Sequence, residues 1–93
     1  MSDKQEQRER PKLDFNAFVL SLGSSALINL GEATDPESGQ TQPVNLPLAE
    51  QSIDLIALLQ EKTRGNLTPD ESRFVEQMLY DLRTIYLRAQ KAP

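Results

Sequence analysis

From Phe15 to Leu30, apolar and small residues recur at helical intervals. At about 100° per residue, Phe15, Phe18, Val19, Leu22, Gly23, Ala26, Leu27 and Leu30 fall on one broad arc, with Leu20 at its edge. The opposite side, Ala17, Ser21, Ser24, Ser25 and Ile28, is neutral, and no charged side chain stands between Asp14 and Glu32. A helix over 14–30 is predicted. The Asp14 carboxylate accepts from the free amides of its first turn, and Gly31 suits the left-handed residue that follows a helix. A second helix is predicted over 46–64, with Asn45 as cap and Pro47 tolerated in the first turn. Its core arc would be Leu48, Ala49, Ile53, Leu55, Ile56 and Leu59, opposite Glu50, Gln51, Asp54, Glu61 and Lys62. Leu58 projects among the polar residues and is expected to be exposed.

The stretch "RGNLTPDE" carries the strongest local signal. Gly65 ends the second helix, Thr68 caps the third, Pro69 is its first residue, and Thr68 with Glu71 completes a capping box. The short link predicts an antiparallel hairpin of helices two and three. Over 69–90 one stripe carries Phe74, Val75, Met78, Leu79, Leu82, Ile85, Tyr86 and Ala89. Arg73, Glu76, Gln77, Thr84 and Arg88 lie outside, joined by Tyr80 and Leu87, which stand almost above one another.

Between the first two helices, "EATDPESGQTQPVN" shows no apolar period and reads as a loop, long enough to be either functional or mobile. Its Asp35, Glu37, Ser38 and Gly39 superficially resemble a calcium loop. The alternating oxygen ligands and the closing Glu are not laid out for one, so a plain turn is expected. Residues 1–12 hold a single apolar residue, with Lys4, Arg8, Arg10 and Lys12 interleaved among Asp3, Glu6 and Glu9, and read as a solvated, disordered tail. The expected fold class is all-α: a single three-helix domain over 13–91 with a helix 2/helix 3 hairpin.

Composition narrows the chemistry. The 93 residues include no Cys and no His, which removes disulfides, thiolate metal sites, the Cys nucleophile and the side chain that titrates near neutrality. A net charge of -4 and a pI of 4.7 oppose the basic footprint of phosphate-backbone binding, so no nucleic-acid partner is expected. The polar N-terminal stretch lacks the apolar core of a secretory signal, and a cytoplasmic location is the expectation. The uncharged run of the first helix is shorter than the roughly 20 apolar residues a membrane span needs. It also contains Asn16, Ser21, Ser24, Ser25 and Asn29, and has no Lys or Arg to anchor it on a surface.

Catalysis would fall to carboxylates, Lys, Arg, Ser or Tyr. In "LYDLR", Tyr80, Asp81 and Arg83 stand on different sides of the third helix. Ser24 and Ser25 have no His base, and a Lys base would have to be Lys62 or Lys91 brought close by the fold. No Gly-rich phosphate loop follows a strand. No enzyme activity, cofactor or metal is expected.

A helix face open to water normally carries charge. The first helix carries none, and two further helices can cover only its main arc. A homodimer is therefore expected, with Ala17, Leu20, Ser21, Gly23, Ser24 and Ile28 at the interface. Gly23 costs about 1 kcal/mol of helix propensity, which close packing would offset, whether against a second copy or within the monomer. Asn29 either fixes register in an interface or satisfies backbone carbonyls near the helix end. Leu58, Tyr80 and Leu87, with the long loop, form the expected surface for an unknown protein partner. The alternative is a helical pocket for a small ligand or lipid.

Three stretches, "FNAFVLSLGSSALINLGEATDPESGQ", "VNLPLAEQSIDLIALLQEKTRGNLTPDE" and "MLYDLR", together resemble a bacterial family designated domain of unknown function 1844. The resemblance runs from about Asp14 to Arg88. It implies a small, mainly helical bacterial protein and brings no catalytic or binding residues with it.

Overall fold

A computed structural model describes residues 14–92 of the chain. The tail expected over 1–12 lies outside the described residues. Three helices follow one another: α1, Phe15–Asn29; α2, Leu46–Lys62; and α3, Pro69–Lys91. No strand occurs among the described residues. Each helix packs on both of the others.

The helix starts follow from capping chemistry. Asp14 Oδ1 accepts from the Ala17 amide at 2.7 Å, and Asn45 Oδ1 accepts from the Leu48 amide at 3.1 Å. At α3 the box is reciprocal: the Glu71 amide donates to Thr68 Oγ1 at 3.1 Å, and the Thr68 amide donates to Glu71 Oε1 at 2.8 Å. Gly31 after α1 and Gly65 after α2 take the left-handed φ values of +75° and +86° that permit the chain to turn away. α2 stops two residues short of the expected Arg64. Thr63 ends it, its amide and its hydroxyl both donating to the Leu59 carbonyl, at 3.0 and 2.6 Å.

The core consists of Val19 and Ala26 from α1, Ile53 and Ile56 from α2, and Val75, Leu79 and Leu82 from α3. Each large aliphatic member contributes about 1.5–3 kcal/mol by burial. Phe15, Leu22, Leu27, Ala57, Leu67, Phe74, Met78 and Tyr86 pack around it. Small residues are buried as well, Gly23 in α1 and Ala49 and Ser52 in α2, which lets helix backbones approach closely. At the edge, the Tyr86 hydroxyl donates to Glu50 Oε2 at 3.2 Å, tying α3 to α2.

The core arcs need three corrections. Phe18, Leu48 and Leu55, expected inside, are half exposed. All three belong to the flanks of their arcs, and a triangle of three short helices covers only the centre of each face. The three helices of the described residues are too few to close over the rest.

The long loop is ordered around Asp35. Its carboxylate accepts from the Glu37 amide at 2.9 Å and from the Gln42 side chain, and its carbonyl accepts from the Gly39 amide at 2.7 Å. The Asp35 amide in turn donates to the Gln40 carbonyl at 2.8 Å. These contacts make the plain turn expected there, with the acidic side chain serving the backbone. The two ends of the loop meet where the Asn45 amide donates to the Asn29 carbonyl at 2.7 Å.

Candidate functional site: the uncharged outer face of α1

Apolar character is spread nearly evenly around α1, whereas α3 is strongly two-faced. That difference selects α1 as the element whose surface needs explanation. Val19, Gly23, Ala26 and, just past the last turn, Leu30 are buried. On the other side Ala17, Leu20, Ser21, Ser24 and Ser25 are exposed and Ile28 is partly so. Ala17, Ser21, Ser24 and Ile28 follow one another at four- and three-residue steps, so they form a single line along the helix. Leu20 on one flank and Phe18 on the other leave about half their surface in water, at 52% and 51%.

Gly23 does not belong to this face. A methyl group built on it would stand 2.7 Å from Met78 Sδ, so the glycine meets α3 inside the bundle. The intramolecular packing role accounts for it, and Gly23 leaves the expected interface set. Phe18 takes a place that the pattern did not assign to it. The sequence signal available was its position at the margin of a wide arc. Asn29 satisfies backbone: its Nδ2 donates to the Ser25 carbonyl at 3.0 Å.

The second expected surface divides. Tyr80 and Leu87, 68% and 53% exposed, line one shallow depression with Gln60, Leu79, Arg83 and Thr84. Leu58, 50% exposed, lies in a different one with Pro47, Gln51 and Leu55. The structure therefore brings Tyr80 and Leu87 together and places Leu58 apart from them.

Among the described residues, ionisable groups do not converge. The one ion pair among the described residues joins Arg73 to Asp70 within the first turns of α3. The Tyr86 pKa is raised by withdrawal from water, then by its hydrogen bond to Glu50, then by the charges of Glu50 and Asp54. Among the described residues no group of three or more acidic side chains is placed to hold a metal ion. Nor is any helix long and apolar enough to cross a membrane. A depression of about 400 Å³ opens where the C-terminal ends of α1 and α3 meet the loop, and Glu32 and Arg88 flank Leu30, Val44 and Ile85 there.

The model of the family described as domain of unknown function 1844 matches residues 12–88, and the chain belongs to that family. No curated protein and no solved structure matches the chain.

Proposed function

We propose that this family member is a non-enzymatic, cytoplasmic protein-interaction module that pairs with a second copy of itself through the outer face of α1. The observation that carries the reading is a helix, Phe15–Asn29, without one charged residue, whose outer half is nonetheless exposed. Interface cores are depleted of charge in the same way. The choice of a second copy rests on electrostatics. The chain carries -4, and two copies repel wherever their acidic surfaces meet. The outer face of α1 lets like chains approach without opposing charges, and its serines and alanine permit close helix contact while Phe18, Leu20 and Ile28 supply apolar area. The rival reading, a pocket for a small apolar ligand, has less to rest on, because the depression of about 400 Å³ is flanked by an acid and a base at the bundle surface.

The test is sedimentation equilibrium across a dilution series of the full chain and of a Ser21→Glu/Ser24→Glu variant. The wild type is expected to show a doubled mass that dissociates on dilution. The variant is expected to remain monomeric at every concentration with unchanged helical circular dichroism. A wild type that is monomeric throughout, or a variant that still doubles, overturns the proposal.

A further inference from the structure

The exposed leucines of α2 are not scattered. Leu48, Gln51, Leu55, Leu58 and Lys62 succeed one another at alternating steps of three and four residues, the spacing of a coiled-coil seam. Leu48, Leu55 and Leu58 are exposed by 47%, 41% and 50%, and Gln51 and Lys62 are exposed too. This stripe is distinct from the buried one that runs through Ala49, Ser52, Ile53 and Ile56. α2 thus has two apolar faces, of which the bundle uses one.

The charges beside the second stripe say what fits it. Glu50, Asp54 and Glu61 form an acidic edge along one side, and Glu50 and Asp54 line the same depression as Leu55 and Leu58. Glu50 accepts the Tyr86 hydroxyl, and none of the three is in an ion pair among the described residues. On the other side the residues at the matching edge positions are Ser52, which is buried, and Leu59, which is partly so. An antiparallel pairing of two α2 helices would set acidic edge against acidic edge. A parallel pairing would need the side already turned into the bundle. Self-pairing is therefore disfavoured at this face, and a helix with the opposite charge on its edge is favoured.

We infer that the outer stripe of α2 is a docking site for an amphipathic helix of a different protein, one that presents leucine-type side chains to Leu48, Leu55 and Leu58 and Lys or Arg to Asp54 and Glu61. The inference names the partner chemistry for the interaction role proposed above and does not depend on pairing through α1.

The probes are two synthetic helical peptides with the same leucine seam, one carrying Lys and the other Glu at the flanking positions, titrated into full-length protein with labelled leucine methyls. The Lys peptide is expected to bind about tenfold more tightly than the Glu peptide, to shift the Leu48, Leu55 and Leu58 methyls, and to lose this advantage as salt rises. An Asp54→Lys/Glu61→Lys variant is expected to reverse the order of the two peptides. Equal affinities, no binding, or shifts confined to α1 or to Leu87 overturn the assignment. So does a doubled wild-type mass that Leu55→Glu abolishes. The Ser21→Glu/Ser24→Glu variant separates the two proposals, because it is expected to bind the Lys peptide as the wild type does.

Discussion

Replacing Gly23 by Ala tests whether this glycine serves the bundle or a contact between copies. The new methyl carbon would lie 2.7 Å from Met78 Sδ, 3.1 Å from Cε and 3.5 Å from Cγ. Carbon contacts are comfortable at about 3.5–4.0 Å, so Met78 has to swing aside. Met78 is only partly buried and the clashing atoms are the far end of a flexible chain, which puts the cost near the low end for overpacking, about 1 kcal/mol. Alanine returns about 1 kcal/mol of helix propensity. Gly23→Ala alone is therefore expected to change stability by less than about 0.5 kcal/mol. Met78→Ala removes the obstacle and, for a half-buried side chain, is expected to cost about 2 kcal/mol. On that background the propensity gain appears in full, so the cycle should close with a favourable coupling of about 1 kcal/mol. Urea denaturation of the four proteins, repeated at a tenfold lower protein concentration, reads it out. Effects that add to within about 0.3 kcal/mol refute the contact with Met78. A Gly23→Ala effect that grows with protein concentration puts the residue back between copies.

Two further perturbations address the frame of the bundle. Thr68→Ala breaks the reciprocal cap of α3 and is expected to cost about 1 kcal/mol in urea denaturation; an unchanged midpoint would show that water replaces the cap at no cost. Tyr86 links α3 to α2 as a phenol, and its pKa is raised in the folded chain. A raised pKa contributes stability that is complete below the unfolded value of about 10 and is lost as pH climbs through the folded value. The stability difference between wild type and Tyr86→Phe is therefore expected to be flat near neutrality and to shrink above about pH 10. A difference that stays constant through that range would show that folding leaves the Tyr86 pKa where it is in the unfolded chain.

The helices and their punctuation were legible because their causes are local. Asp14, Asn45, and Thr68 with Glu71 cap helices through contacts three residues away, and Gly31 and Gly65 mark positions where φ must be positive. Those interactions need no knowledge of the rest of the chain. The destination of residues at the margins of an arc is not local. Phe18, Leu48 and Leu55 sit where burial depends on how neighbouring helices lie, and hydrophobic period alone treats them like Val19 or Ile56. Gly23 was ambiguous for the same reason, since only the position of Met78 on another helix decides which way it serves. The neutral outer face of α1 was readable from the absence of charge. The second seam of α2 is present in the spacing of Leu48, Leu55 and Leu58, but hydrophobic period alone does not separate it from the core arc that Leu48 and Leu55 flank.

The clasp between Asn45 and Asn29 has a bearing on how the chain tolerates change. Because the segment between α1 and α2 leaves and re-enters the bundle at one point, and ties itself internally through Asp35, its contour length is uncoupled from the packing of the helices. Doubling such a segment costs only about 0.6 kcal/mol in closure entropy. A reporter sequence or an epitope inserted near Gly39, which has open space around it, would be carried by the fold as cargo.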